Sequence, residues 1–193
     1  MKLSILICTV PERDIKFNNL YNRLQNLCKG YDIEILFNNK PRYDAEGGIS
    51  VGEKRQSLID KSIGNFFIFI DDDDDITDDF IKIIYPHLLK KYDAITSKTL
   101  AYIDGEKFII DTSIFYISEQ LNHGGIETKR YPSVSSIWNR RLTKKVKFNK
   151  INNGEDFEWS MRLKPKKEKK LEDTLYLYNY STEHTIASKA AYG

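Results

Sequence analysis

The sequence contains few cysteines. Cys8 and Cys28 are the only two among 193 residues, and their spacing fits neither a disulfide framework nor a zinc site. Disulfides that staple a small secreted fold are therefore excluded. We expect both thiols to stay reduced, as in a cytosolic protein.

Long apolar runs are also missing. No stretch approaches the roughly 18 apolar residues that are needed to span a bilayer, and no signal peptide is apparent. The apolar run at residues 3–10 is too short, and the charged residues Glu12 and Arg13 interrupt it. We therefore expect a cytoplasmic protein without a transmembrane segment.

The chain has no large excess of either charge. Its 30 basic and 28 acidic residues give a net charge of +2, but acid is concentrated at residues 71–79 and base at 144–147 and 164–170. This distribution suits a protein that holds a cation in one place and meets an anionic partner in another. A solvated surface is the simpler interpretation of each lysine run.

The sequence does contain enough apolar residues for one folded domain. Hydrophobic residues make up 40% of it and aromatic residues 12%, which excludes an intrinsically disordered chain. Apolar runs predict strands, and amphipathic stripes predict helices. The first half reads as strands at 3–9, 33–37 and 66–70, helices at 17–28, 50–63 and 77–89, and a further strand ending near 97.

This β-α-β-α-β-α-β order is typical of a parallel sheet with helices on both faces. Ser50 and Glu53 form a capping box at the start of the second helix. The second half is less regular. We predict a hairpin at 101–110 turning at Asp104-Gly105, a strand at 111–118, a loop at 119–135, a helix at 154–165, an exposed lysine-rich loop and a strand at 174–180.

In such sheets, ligands bind beyond the carboxyl ends of the strands. Three polar clusters occupy those positions, at residues 9–13, at Asn38-Asn39 and at residues 71–75. We expect them to converge on one crevice.

The run of five aspartates is the strongest chemical signal. Carboxylates are hard oxygen ligands, which suit Mg²⁺ or Mn²⁺, and a nucleotide diphosphate would complete the coordination of such an ion. A bound cation would also relieve the repulsion among the like charges. Asp75 and Asp78 are explained equally well as helix caps, but capping does not require Asp71, Asp72 and Asp73.

Taken in order, these pieces resemble family 2 glycosyltransferases. The segment at 2–13 resembles their opening strand and loop. Residues 52–56 and 64–74 resemble the helix and strand that lead into the Asp-x-Asp motif, and 154–163 resembles the Glu-Asp segment. The resemblance implies a GT-A (Rossmann-like) α/β fold in a single domain, with a nucleotide-sugar-binding half at 1–98 and an acceptor-binding half at 99–193.

The resemblance also implies roles for individual residues. Asp156 would be the general base, positioned by Glu155, and the displacement would invert the anomeric carbon. Asp73 would be the main metal ligand, with Asp71 and His184 as further candidates. The nucleotide sugar would be bound by Thr9, Pro11, Glu12, Arg13, Asn38, Asn39, Lys54, Arg55, Asp71 and Asp72.

Simpler explanations exist for several of these residues. Glu155 and Asp156 suit any helix N-terminus, His184 could be merely solvated, and Trp138 and Trp159 suit a core better than a sugar platform. Asn38-Asn39 replaces the acidic pair that usually reads the nucleobase, which leaves the choice of base open.

The function predicted from the sequence is a hexosyltransferase that uses Mn²⁺ or Mg²⁺ to transfer sugar from a nucleotide diphosphate sugar. A UDP-sugar is favoured as donor, and the hydroxyl of a saccharide or glycan as acceptor. A hydroxylated DNA base is an alternative acceptor because of the lysine runs. Alternatives of another class are a non-catalytic nucleotide-binding module and a nucleotidyltransferase, although residues 10–13 lack the Gly-rich basic loop of the latter.

Overall fold

The computed structural model describes residues 2–117 and 127–181. The strands are β1 (Leu3–Cys8), β2 (Ile33–Asn38), β3 (Phe66–Phe69), β4 (Asp75–Ile76), β5 (Ala94–Ile103), β6 (Glu106–Thr112), β7 (Glu127–Arg130), β8 (Ile137–Asn139) and β9 (Glu168–Tyr180). The helices are α1 (Asp14–Leu27), α2 (Val51–Lys61), α3 (Phe80–Ile84) and α4 (Glu155–Arg162), with 3-10 turns at Pro11–Arg13, Tyr85–His87 and Arg140–Lys145.

The strands of these two ranges all belong to one mixed sheet in the order β2-β1-β3-β8-β5-β6-β7, with β9 paired to β5 and to β4. The pairings of β1 with β2 and β3, and of β5 with β9, are parallel. Because β8 is antiparallel to both β3 and β5, those two strands share one direction. Most strands therefore run the same way, which confirms the predicted mostly parallel α/β sheet.

Helices cover the sheet on both faces. On one face, Leu3, Ile5 and Ile7 pack in a cluster with residues of α1 and α3. On the other face, Leu6 and Phe67 pack with residues of α2 and α4. Alternate residues of a strand point to opposite faces, so a sheet buried on both sides needs strands that are apolar throughout.

The local signals at several element boundaries are confirmed. The Ser50 side chain accepts a hydrogen bond from the backbone N–H of Glu53, and the Glu53 carboxylate accepts one from the Ser50 N–H. At the β5–β6 turn, Asp104 and Gly105 have φ values of 48° and 89°, the left-handed region that such turns require.

Three predictions about secondary structure are wrong, and one strand was missed. The helix predicted at 77–89 is reduced to α3, because Pro86 in the following 3-10 turn cannot donate an i→i−4 hydrogen bond. The strand predicted at 111–118 ends at Thr112, the loop at 119–135 contains β7, and β8 was not predicted.

A further error concerns the lysine-rich loop, because its residues 168–170 begin β9. The Glu168 carboxylate accepts hydrogen bonds from Thr96 and Ser113, and the Lys170 ammonium donates one of 2.8 Å to Asp111. These polar partners allow a charged segment to join the sheet. Within the described ranges, no helix is both long enough and apolar enough to cross a membrane.

The assignment of one side of helix α4 to the core can be tested by mutation. Trp159 is completely buried and stacks on Phe148 with a centroid separation of 4.6 Å. We expect Trp159→Ala to lower the free energy of unfolding by about 3–5 kcal/mol, as measured by urea denaturation. Phe157→Ala, on the exposed side of the same helix, should change it by less than about 1 kcal/mol. Equal effects would contradict this assignment.

Candidate functional site

A cavity of about 360 Å³ lies where β1 and β3 end. We call it the donor cavity, because the sequence predicts that a sugar donor would bind at this end of the sheet. Its lining includes Thr9, Arg13, Lys54, Arg55, Asp71, Asp72, Asp73, Glu155 and Asp156. Two of the three predicted polar clusters therefore do converge, and α4 adds the Glu-Asp segment. Thr9 Oγ donates a hydrogen bond of 2.7 Å to Asp72, and the Arg13 guanidinium binds both Asp72 and Asp73.

The structure divides the aspartate run into two groups. Three of the five carboxylates are bound mainly by the protein itself: Asp72 by Thr9 and Arg13, Asp74 by the Tyr176 hydroxyl and the Asn179 N–H, and Asp75 by the Arg23 guanidinium. Asp71 and Asp73 keep side-chain exposures of 37% and 21%, against 3% for Asp72. Asp71 and Asp73, which are separated by one residue, therefore form the more exposed carboxylate pair at the donor cavity.

Asp71 and Asp73 suit a divalent cation. Burial raises the pKa of Asp73, Arg13 lowers it, and the charges of Asp71 and Asp72 raise it again; a cation would offset both of the raising effects. In the described part of the chain, no three Asp, Glu, His or Cys side chains are grouped to hold a metal alone. The other ligands would be diphosphate oxygens and water, the usual arrangement for Mg²⁺. His184 lies outside the described residues.

Two cations from α2 reach into the cavity wall. The Lys54 ammonium donates a hydrogen bond of 2.7 Å to the carbonyl of Thr9 and so fixes the end of β1. The Arg55 guanidinium lies between Glu155 and Asp71, at 3.1 and 3.2 Å, and stacks over the Phe69 ring. Burial opposes the charge on Arg55, but its carboxylate neighbours raise its pKa well above the ordinary value.

The Glu-Asp segment begins α4 and lies at the cavity rim. Gly154 precedes it with a φ of 73°, a conformation that glycine adopts at little cost. Glu155 is buried against Arg55, whereas Asp156 is half-buried and lines the donor cavity. Among the described residues, nothing hydrogen-bonds the Asp156 carboxylate. Its oxygens are therefore open to hydrogen-bond donors of a bound molecule.

Four of the predicted nucleotide-binding residues do not line the donor cavity. Pro11 and Glu12 are exposed in a 3-10 turn, and Asn39 is exposed after β2. The Asn38 amide donates a hydrogen bond of 2.7 Å to Ser57. Their contacts with a nucleotide remain predictions.

Sequence reasoning missed other residues that line the donor cavity. These are Arg42, Tyr43, Ile49, Val51, Asn152, Asn153, Tyr178, Asn179 and Tyr180. The polar run before Gly154 was a usable signal for Asn152 and Asn153. The tyrosines of β9 gave none, because their position depends on pairing with β5.

The lysine run at 144–147 lies where the parallel strands begin, at the opposite end of the sheet from the donor cavity. A cleft of about 790 Å³ there, which we call the basic cleft, is lined by Lys90, Lys91, Arg140, Arg141, Lys144 and Lys147 together with the end of α2. Asp93 binds the Arg141 side chain and the backbone N–H groups of Lys166 and Lys167. Because α2 begins at the donor cavity and ends here, the basic cleft lies about one helix length from that cavity.

Comparison with solved structures identifies the fold. The crystal structure of S. aureus TarS residues 1–349 matches with a TM-score of 0.62 and 14% identity, over 93% of this chain and 60% of that one. Its complexes with UDP-GlcNAc and with UDP match with TM-scores of 0.61 and 0.60, at 13% and 14% identity, over 93% and 95% of this chain and 59% and 62% of theirs.

This chain therefore spans about 60% of the TarS fragment that it matches. No protein-family model matches the sequence, and a search of curated proteins finds no match either. TarS is a glycosyltransferase of the GT-A type, and this chain has the same α/β fold.

The buried Arg55 pair gives a pH-dependent prediction. Burial raises the pKa of Glu155, whereas Arg55 lowers it. We expect Arg55→Met to leave Glu155 unpaired and to lower the free energy of unfolding by about 3–5 kcal/mol near pH 8. Without Arg55 the folded-state pKa of Glu155 lies further above its unfolded value. The folded variant therefore loses stability as pH rises between these two pKa values. That loss disappears at lower pH, where Glu155 is protonated in both states.

The loss relative to wild type should therefore shrink between pH 8 and pH 5. The change is about 1.4 kcal/mol for each pH unit in which Glu155 is protonated in the folded variant but ionised in the unfolded chain and in the folded wild type. Urea denaturation at both pH values measures it. Adding Glu155→Gln to Arg55→Met should abolish the pH dependence. A loss of the same size at both pH values would show that Glu155 is not the group left unpaired.

Proposed function

We propose that this chain is a glycosyltransferase of the hexosyltransferase type. It would transfer a sugar from a nucleotide diphosphate sugar, a UDP-sugar in preference, to the hydroxyl of a saccharide or glycan, with Mn²⁺ or Mg²⁺ bound. The observation that carries the proposal is the shared cavity of Asp71, Asp73 and Asp156. It combines an oxygen-ligand pair for a metal diphosphate with a carboxylate that has no hydrogen-bond partner among the described residues.

The fold supports the same donor class. TarS, whose fold this chain shares, has been crystallised in complex with UDP-GlcNAc and with UDP. In α/β sheets, the edge where parallel strands end is the usual position of a nucleotide, and it is the position of the donor cavity here.

In the proposed reaction, the acceptor hydroxyl gives its proton to the Asp156 carboxylate and its oxygen forms a bond to the anomeric carbon. The bond from that carbon to the diphosphate oxygen breaks, and its electron pair leaves with the nucleoside diphosphate. Direct displacement would invert the anomeric carbon. A metal held by Asp73 and Asp71 would neutralise the charge that develops on the leaving group, while Arg55 fixes Asp71 and Glu155.

A DNA acceptor is less well supported. A duplex acceptor would need cations around the reacting site to contact its phosphates. Of the lysine runs that kept this alternative open, the one at 144–147 lines the basic cleft, away from the donor cavity, and no residue of the one at 164–170, which the structure describes in full, lines the donor cavity.

Donor binding can be tested by thermal shift with UDP, GDP, CDP and ADP, each with and without MnCl₂. A diphosphate at about 100 times its dissociation constant should stabilise the fold by roughly 2.7 kcal/mol, and we expect UDP to do so only with metal. Asp73→Asn should abolish the shift, whereas Asp79→Asn, on an exposed residue beyond the cavity, should retain it. The absence of any metal-dependent shift would refute the proposed donor site.

The base role of Asp156 makes a separate prediction. Asp156→Asn should slow the release of UDP from a UDP-sugar by about 10²–10⁴-fold, while the thermal shift with UDP and MnCl₂ is retained. Glu158→Gln provides a control on the same helix, because Glu158 pairs with Arg162. An undiminished rate in Asp156→Asn would assign the base to another residue.

A further inference from the structure

A second cavity, of about 340 Å³, adjoins the donor cavity. We call it the tyrosine cavity. The two cavities share Asp71, Asp156, Tyr178 and Tyr180 in their linings, so the Asp156 carboxylate borders both. A molecule in the tyrosine cavity would therefore lie beside the proposed base. The volume of the cavity is at the lower end of the range for ligand pockets.

Strand β9 forms one wall of this cavity. Tyr176, Tyr178 and Tyr180 are alternate residues and so share one face of the strand. The rings of Tyr178 and Tyr180 are nearly parallel, with centroids 6.5 Å apart, and both are half-buried. Such rings offer an apolar face with a polar edge, which suits the apolar C–H face and the hydroxyl rim of a sugar.

The wall is held rigidly. Tyr176 donates a hydrogen bond of 2.7 Å to one oxygen of Asp74, and the Asn179 backbone N–H donates one of 2.8 Å to the other. Hydroxyl groups of Thr99, Thr112, Ser133 and Ser135 add hydrogen-bonding capacity around the cavity. The walls are thus apolar on one side and rich in hydroxyls elsewhere.

The tyrosine cavity also contains a cationic side chain, that of Arg130 at the end of β7. It forms no ion pair or side-chain hydrogen bond with the described residues, although Asp71, Asp74 and Asp156 line the same cavity. Asp71 is instead paired with Arg55, and Asp74 with Tyr176 and Asn179. A guanidinium in this position matches the planar oxygens of a carboxylate or phosphate.

We propose that the tyrosine cavity binds the acceptor as a sugar residue that carries an acidic group. This inference rests on the proposed function. The sugar ring lies against Tyr178 and Tyr180, the acidic group pairs with Arg130, and a hydroxyl faces Asp156. A nucleic acid suits the cavity less well. The described residues that line the cavity include three carboxylates and only one cationic side chain, that of Arg130, and the carboxylates would repel a chain of phosphates.

Binding can be measured by saturation-transfer NMR in the presence of UDP and MgCl₂. The probes are the methyl glycosides of glucose and galactose, each compared with its uronic acid and its 6-phosphate. We expect an acidic member to bind about tenfold more tightly than its neutral partner, the effect of one charge-assisted pair. The preferred acid, carboxylate or phosphate, distinguishes the two sources of charge.

Arg130→Ala should abolish this preference, and Arg130→Lys should restore part of it. Lys129→Ala is the matched control, since Lys129 is exposed on the same strand and lies over the Tyr116 ring outside the cavity. The thermal shift with UDP and MnCl₂ should be unchanged in all three variants.

Three results would overturn the inference while UDP binding persists: equal binding of acidic and neutral glycosides, a preference that survives Arg130→Ala, or binding of none of the glycosides. Displacement of the bound glycoside by a short DNA duplex would also overturn it, in favour of a nucleic-acid acceptor. Loss of metal-dependent UDP binding in the wild-type protein would instead refute the proposed function itself.

Discussion

The site depends on the ion pairs that the buried Arg55 guanidinium forms with Asp71 and Glu155. The guanidinium joins three separate pieces of chain: α2, from which it extends, the end of β3 through Asp71, and the start of α4 through Glu155. A charge this deeply buried is tolerated only where its partners are equally well placed. The ion pairs therefore fix the distance between the carboxylates on the donor side and the segment that carries Asp156.

The same principle explains how five consecutive aspartates can be accommodated. Adjacent carboxylates repel one another, and burial adds to the cost of their charges. The fold provides Arg13 and Thr9 for Asp72, Tyr176 and Asn179 for Asp74, and Arg23 for Asp75. Asp71 and Asp73, the first and third members of the run, remain more open to the cavity than Asp72. The run of acid thus consists of one pair of carboxylates that is open to the cavity and three carboxylates that are bound mainly by the protein itself.

Much of the first half could be predicted because its signals are local. The apolar runs of β1 and β3 and the capping box of Ser50 and Glu53 each depend on a few neighbouring residues. The same is true of the turn at Asp104-Gly105 in the second half. The convergence of Thr9 with Asp72 followed from a general rule about the ends of parallel strands. That rule predicts the end of the sheet at which the two segments meet, without any knowledge of individual contacts.

The second half could not be predicted in the same way. Strand β8 has only three residues, too few for a periodic pattern, and it lies antiparallel between β3 and β5. The lysine-rich start of β9 is stabilised by Glu168 and Asp111, whose partners are distant in sequence. For the same reason, no local sequence pattern predicts the pairing of β9 with β5 that brings Tyr178 into both cavities.

Strand β9 also decides how far the two cavities can be altered separately. Its residues Tyr178 and Tyr180 line both cavities, and its Asn179 side chain donates to the Asp73 carbonyl. Substitutions in this strand will therefore change the walls of both cavities together. Arg130 enters from β7 and lines the tyrosine cavity but not the donor cavity. Strand β7 is therefore the element in which one cavity can be redesigned while the other is left intact.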